Sequence, residues 1–411
     1  MEVFRRLALT TEVAITSTNS TFLLAETGAL YACGYNGFGS LGLGDTADRL
    51  TMQRVPLTES VRMVATSGIS TLIVTVSGAL YACGDNRYDQ LGLGDGSNRS
   101  TLTRVPLEEN AKMVVTSRGS TYVLTISGAL YTCGANGFGQ LGLGDSSNRS
   151  TLQRVPLEEK AKTVVAIGDC TYVITISGTL YACGYNEYGQ LGLGDTQNRL
   201  TLQRVSLEEK AKTVVAIGDC TYVITISGAL YACGYNGLGQ LGLGDNKNRS
   251  TLQRVPLEER VKIIETGYYS TFVLTVNDAL YACGYNGFGK LCIGDKQNRS
   301  TLIRVSLTES VKAIAAGDYF TFILGVSGAL YACGNNYYGQ LGLGDSSDRS
   351  TLQRVPVEAV KTVAIEAAGY SAFVTTDSGE VYACGQNKYG QLGLGDTRNR
   401  NSLTRVFFSD S

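Results

Sequence analysis

Eight cysteines stand at Cys33, Cys83, Cys133, Cys183, Cys233, Cys283, Cys333 and Cys384, a spacing of 50 residues that stretches once to 51. The same surroundings return with each of them, best seen from Ser127 to Asp145: Ser-Gly-Ala-Leu-Tyr-Thr-Cys-Gly-Ala-Asn-Gly-Phe-Gly-Gln-Leu-Gly-Leu-Gly-Asp. A period of this length marks a repeat architecture, because a 50-residue unit must stack on its neighbours to bury its apolar face. The repeat therefore overrides the length prior of two or three domains for 411 residues, and residues 1–411 are expected to form one domain.

The unit from Lys160 to Leu207 shows what each copy builds. Thr163–Ile167 and Tyr172–Ile176 are β-branched runs separated by Gly168 and Asp169, and Ser177-Gly178 turns the second run into Thr179–Cys183. Both runs are apolar at nearly every position instead of alternating, which predicts burial on both faces. Gly184, Gly189, Gly192 and Gly194 then crowd an ordered loop, and Leu202–Val205 reads as a fourth strand. Four short strands per repeat is the size of a propeller blade, so the fold class is an all-β propeller. Eight blades are expected, with seven as the alternative, and Leu7–Leu9 is expected to help close the ring.

Composition narrows the function classes. Lys plus Arg (35) nearly balances Asp plus Glu (36), which removes the simplest argument for direct nucleic-acid or anionic-membrane binding. After Arg5 and Arg6 the apolar run is only Leu7–Leu9, too short for a signal-peptide core or a membrane span, so a cytoplasmic protein is expected, with the nucleus as the other possible site. The chain has no histidine and no Cys-x-x-Cys, which argues against a zinc site, and its eleven cysteines are expected to be reduced, buried, small hydrophobes. Without histidine no Ser/His/Asp or Cys/His arrangement is available, so no catalytic residue, metal or cofactor is expected.

The segment Gly-x-Leu-Tyr-x-Cys-Gly-x-Asn-x-x-Gly-Gln-Leu-Gly-Leu-Gly-Asp followed by Arg-Val-Pro resembles the repeat of the regulator of chromosome condensation family, the RCC1-like propellers, over essentially the whole chain. The resemblance implies a ring of four-stranded blades around a channel. Members of that family include guanine-nucleotide exchange factors for Ran, a plant ultraviolet receptor, parts of ubiquitin ligases and binding platforms. Cysteine stands here where the family usually has tryptophan, which excludes ultraviolet sensing. The usual histidine before the second strand is replaced by Ser20, Ser70, Ser120, Cys170, Cys220, Ser270, Phe320 and Tyr370.

Two other motifs are weighed as structure rather than chemistry. Gly37 to Gly42 and Gly137 to Gly142 match G-x-G-x-x-G, but more turn formers follow instead of a helix, so no phosphate site is expected. The pair Asp145 and Arg149 recurs in every repeat, which suits a loop brace better than a single catalytic dyad. What differs among the repeats carries the functional reading. The turn between the first two strands becomes aromatic late in the chain, at Tyr268 and Tyr269, then Tyr319 and Phe320, then Tyr370, and these residues are candidates either for partner binding or for filling the space of the missing histidines. Asp85, Arg87 and Tyr88, with Asp89, form a second divergent loop and a second candidate contact. The expected function is a monomeric, non-enzymatic protein-interaction platform. The alternative is an exchange factor for a Ran-like or Rab-like small GTPase, an analogy of fold alone.

Overall fold

The computed structural model describes residues 13–16, 19–357 and 362–407. Leu7–Leu9 lies outside them. Eight four-stranded antiparallel sheets follow one another along the chain, each in the order in which its strands occur, and among the described residues there is no helix. These sheets are numbered here as blades 1 to 8 and their strands lettered a to d.

Blade 4 shows why the local sequence folds this way. Its strands are a, Ala161–Ile167; b, Cys170–Thr175; c, Leu180–Gly184; and d, Arg199–Arg204. Val164 pairs with Val173, Val173 with Tyr181, and Tyr181 with Arg204. Strand b is buried at all six positions, as its unbroken apolar and threonine pattern predicts for a sheet covered on both sides. Strand d starts at Arg199, three residues before the expected Leu202, and Ile176 leaves strand b for the b–c turn, where its side chain is exposed. That turn is closed by Gly178 N–H donating to the Thr175 carbonyl at 3.0 Å and by Thr179 N–H donating to Thr175 Oγ1 at 3.2 Å, with Gly178 at φ +86°. A side chain there would be strained in the left-handed region.

Strands a of successive blades are neighbours around the ring, so they are innermost, and blade 1 meets blade 8 in the same way. The core lies between blades. Tyr122, Leu124 and Leu130 of blade 3 pack on Val164, Ala166 and Val173 of blade 4, and each such side chain removed from water contributes about 1.5–3 kcal/mol. Outer edges interlock as well: Gly144 N–H donates to the Leu200 carbonyl of the next blade at 2.9 Å, and across the closing seam Gly395 N–H donates to the Leu50 carbonyl at 2.8 Å.

The repeated cysteines sit in these interfaces. Cys183 Sγ–H donates to the Gln140 carbonyl of the preceding blade (3.6 Å), Cys233 to Gln190 (3.4 Å) and, at the seam, Cys33 to Gln391 (3.4 Å). Thr171 Oγ1–H donates to the Gln140 carbonyl as well, at 2.7 Å. The neighbouring blade closes over the thiol so tightly that a Cβ on Gly142 would lie 3.3 Å from Cys183 Sγ, which removes the void a thiol would otherwise leave in place of a large ring. Nine cysteines are free and buried. The expectation that all are reduced is corrected at one place: Cys333 is disulfide-bonded to Cys292. Cys292 occupies the position of Gly142 in its own blade, so its Cβ necessarily points at the next blade's thiol.

Candidate functional site: the loop face

The a–b turns and the c–d loops open on the same face of the ring, because Gly134 at the end of strand c pairs with Ser120 at the start of strand b. In the c–d loop of blade 3, Asn136 is the organiser. Its Oδ1 accepts from Leu141 N–H at 2.9 Å, its Nδ2 donates to the Asp145 carbonyl at 2.8 Å, and its own N–H donates to Asn148 Oδ1 at 3.0 Å. Asn148, formally a sequon asparagine, is thus used to hold the loop. Asp145 and Arg149 pair at 2.6 Å, and the same pair stands in every blade. The Arg149 hydrogen bond holds the Asp145 carboxyl below its ordinary pKa. With eight solvent-facing copies this pair is a brace, as its repetition predicts.

A second polar device joins loop to loop. Gln140 accepts from Phe138 N–H (2.9 Å) and donates to Asp169 on the next blade's a–b turn (3.3 Å), and Gln190 does the same with Tyr188 and Asp219. In blade 6 the position is Lys290, fully buried, whose Nζ donates to the Gly317 carbonyl (3.0 Å) and the Asp318 carbonyl (2.8 Å). Burial lowers its pKa from 10.5 to about 7, with Asp318 pulling weakly the other way. Lys290 thereby holds the turn that presents Tyr319.

On this scaffold the aromatic residues of blades 6 to 8 converge. Tyr268 meets Tyr319 with ring centroids 4.9 Å apart and Tyr269 at 4.8 Å, Phe288 meets Tyr319 at 5.3 Å, and Tyr319 stacks on Tyr370 at 5.9 Å and 23°. Tyr338 meets Tyr370 at 5.1 Å and Tyr337 at 4.8 Å. All of these rings except Tyr269 line an open cleft of ≈ 490 Å³ together with Leu238, Tyr285 and Asn335. Tyr337 is 72% exposed and Tyr268 41%, so large ring area faces water. Tyr269, which packs on Tyr268 outside the cleft lining, has a φ of +50°, which for a bulky residue costs about 1–3 kcal/mol. Removal from water, reinforced by Tyr268, pushes the Tyr319 hydroxyl up to about 12, so it stays a neutral donor.

Not every sequence candidate belongs here. Phe320 is fully buried, packed edge-on to Phe322 at 5.9 Å and close under Gly317. It fills the position where Cys170 and Cys220 each donate to a loop carbonyl at 3.1 Å, so filling the missing histidine's space is true of Phe320 and it is no contact residue. Tyr370 is not its equivalent. Ser371 pairs with Gly385 as Phe320 does with Gly334, which makes Tyr370 the counterpart of Tyr319 and accounts for the extra residue before it.

Asp85 is likewise buried. It accepts from Arg87 Nε at 2.7 Å and Gln90 Nε2 at 2.9 Å, so it organises its own loop in blade 2 rather than offering a contact. Arg87 lies over the Phe38 ring at 5.0 Å, and Tyr88, which is exposed, closes over Gly119. This loop is in blade 2, away from the cleft lining. Tyr285, Phe288, Tyr337, Tyr338 and Lys290 were missed by sequence reasoning, although the recurring Cys-Gly-Tyr-Asn-x-Phe/Tyr words place aromatic residues at fixed points of the c–d loop. Among the described residues no group of His, Cys, Asp or Glu could hold a metal, and no helix is long and apolar enough to cross a membrane.

Comparison with known proteins gives a consistent relationship. The profile of the RCC1-like domain matches residues 147–410. Human WBSCR16 is similar in structure with a TM-score of 0.67 and 20% identity, over 83% of this chain and 96% of that one. Yeast RCC1 (Prp20), solved bound to Kap60, matches with a TM-score of 0.64 and 16% identity, over 99% and 90%. A second structure of Prp20p from Saccharomyces cerevisiae, described with its binding to Gsp1p and histones, matches with 0.64 and 17%, over 97% and 88%.

Proposed function

This chain belongs to the RCC1-like family, and we propose on that premise that it is a non-enzymatic interaction platform holding a protein partner at the aromatic cleft of blades 6 to 8. One observation carries the reading. Near-identical blades make a uniform ring, and where the turns and loops of blades 6 to 8 depart from the common pattern, tyrosines line an open cleft with Tyr268 and Tyr337 exposed. Exposed tyrosine gives wide contact area at small conformational cost, with a hydroxyl to satisfy.

The exchange-factor alternative calls for an element that wedges into a GTPase, and the c–d loops lend it no support. They run from Gly134 to Arg149, Gly184 to Arg199 and Gly385 to Arg400, the same length in blades 3, 4 and 8.

Affinity capture from the source cells with the full chain, against a Tyr268→Ala/Tyr337→Ala variant, tests the platform. The two exposed rings are expected to contribute about 2–4 kcal/mol to partner binding while the thermal midpoint stays nearly unchanged. Retention of the same partners by the folded variant would remove the cleft from the interface. Clear acceleration of labelled-GDP release from Ran-like or Rab-like GTPases at catalytic concentrations would replace the platform with an exchange factor.

A further inference from the structure

We propose that the cleft of blades 6 to 8 is a cation-recognition site, receiving an arginine or lysine side chain carried on a basic segment of the protein partner. The proposal rests on the reading of the loop face as a partner surface and specifies what that surface reads.

The first support is the lining. Tyr268, Phe288, Tyr319 and Tyr337 present aromatic rings to an open cleft, and a ring face is a region of negative potential that attracts a cation within about 6 Å of its centroid. The second is a contrast inside this chain. One position in the c–d loop decides whether a blade supplies its own cation to a neighbouring ring. In blade 2 it is Arg87, whose guanidinium lies 5.0 Å from the Phe38 centroid, and in blade 8 it is Lys388, whose amine lies 5.3 Å from the Tyr389 centroid. In blade 6 that position is Gly287 and in blade 7 it is Tyr337, and among the described residues no lysine or arginine lines the cleft. The nearby Lys290 is buried and committed to the Gly317 and Asp318 carbonyls. Blades 6 and 7, which supply most of the cleft's rings, thus bring no cation to them, and Lys388 of blade 8 lies over Tyr389, which does not line the cleft.

Charge gives the third support. Asp318 is exposed on the a–b turn next to Tyr319, and its negative charge acts on both Tyr319 and Tyr370. An apolar or anionic occupant would gain nothing from that carboxylate, whereas a guanidinium or ammonium group resting on the rings would gain from both.

The test uses the full chain and three fluorescein-labelled nonapeptides read by anisotropy. One alternates arginine with glycine, its twin carries citrulline in place of each arginine, and the third is proline-rich. The arginine peptide is expected to bind, with the citrulline twin about tenfold weaker because it keeps the shape and loses the charge. Tyr337→Ala should weaken arginine-peptide binding by about tenfold, Tyr337→Phe should retain it, and Asp318→Asn should weaken it severalfold and flatten its salt dependence. Equal binding of the citrulline twin, tighter binding of the proline-rich peptide, or indifference to Tyr337→Ala would each overturn the proposal. If partner capture is lost in Tyr268→Ala/Tyr337→Ala while the arginine peptide neither binds nor competes, the partner surface stands and the cation site falls. If the arginine peptide binds through the rings but capture ignores them, the partner surface falls instead.

Discussion

Lys290 occupies the position at which the other blades carry Ser40, Gln90, Gln140, Gln190, Gln240, Gln340 and Gln391, and it is the one charged residue among the eight. A fully buried amine with two carbonyl acceptors keeps its fold-imposed pKa near 7, while in the unfolded chain it titrates near 10.5. Between those values the unfolded chain holds a proton that the folded chain has released, so this residue makes stability rise with pH from about 7 toward 10.5. Lys290→Gln should abolish that rise. It should also stabilise the fold by about 1 kcal/mol at neutral pH, since glutamine can accept from Phe288 N–H as Gln140 does from Phe138 N–H. Glu366 in strand a of blade 8 works in the opposite sense. Burial, together with the charge of Glu265, raises its pKa from 4.5 to about 8. The folded chain then retains a proton that the unfolded chain has lost, so Glu366 makes stability fall as pH rises from about 4.5 to 8, and Glu366→Gln should remove that fall. Denaturant midpoints from pH 5 to 10 for the two variants and the parent separate the effects. A Lys290→Gln curve parallel to the parent above pH 7 would contradict the first account, and an unchanged slope below pH 8 in Glu366→Gln the second.

At the scale of the element, the glycine-rich c–d loop is the part of the blade on which both shape and exception depend. Its glycine after Gln-Leu is needed because the next blade's cysteine lies against it, 3.1 Å from a Cβ built on Gly92. Blade 6 breaks the rule with Cys292 at φ +61° and turns the close approach into a covalent link between blades 6 and 7. Closing a loop with a sequence separation of 41 contributes about 2–4 kcal/mol in the chain-entropy account. Reductant should therefore lower the thermal midpoint of the parent and leave Cys292→Gly, which restores the repeat residue, unaffected. Thiol titration gives an independent check. Denatured parent protein should expose nine thiols without reductant and eleven with it, whereas Cys292→Gly should expose its ten in both cases. Eleven from the unreduced parent would mean that the link does not form. The strands were legible in the sequence because β-branched runs bounded by glycine signal them without reference to distant residues. The exceptions in the loop were not, since their meaning depends on the neighbouring blade. Cys292 reads as a lone substitution until Cys333 is beside it, the divergence of Asp85 looks like exposure although its carboxylate turns inward, and Phe320 shares a turn with Tyr319 while pointing to the opposite side of it. Tyr285 and Tyr338 were hidden by their likeness to aromatic residues in other repeats, whereas Tyr337 stands where other repeats have Gly37, Arg87, Gly287 or Lys388 and was a departure that could have been read.

In the ring as a whole the interface between blades 8 and 1 differs from the others in connectivity. Seven pairs of adjacent blades are joined by a peptide linker between strand d of one and strand a of the next, whereas among the described residues blades 8 and 1 meet without one, through side chains and backbone contacts such as Gly395 N–H with the Leu50 carbonyl. Chemically the seam repeats the common contacts: Thr21 Oγ1–H donates to the Gln391 carbonyl at 2.8 Å, Cys33 Sγ–H to the same carbonyl at 3.4 Å, and Leu23 packs with Phe373 and Val381. Among the described residues no strand of one terminus is inserted into the sheet of the other: blade 1 takes its four strands from Val13–Arg54 and blade 8 from Thr362–Arg405. Elsewhere a broken contact leaves the two blades tethered at high effective concentration. At the seam the described residues provide no such tether other than the rest of the ring. Local opening therefore has its lowest free energy between blades 8 and 1, and amide exchange is the measurement that sees it. The Gly395 N–H, donated to Leu50 across the seam, should exchange at least about tenfold faster than the matching Gly144 N–H donated to Leu200 and Gly244 N–H donated to Ser300. Cys33→Ala should widen that difference, because it removes a seam hydrogen bond, while Cys183→Ala should leave it unchanged. Uniform exchange among these glycines, or a Cys33→Ala variant with no faster exchange at Gly395, would show that the seam is as tightly closed as the linked interfaces and that residues beyond these contacts hold the ring shut.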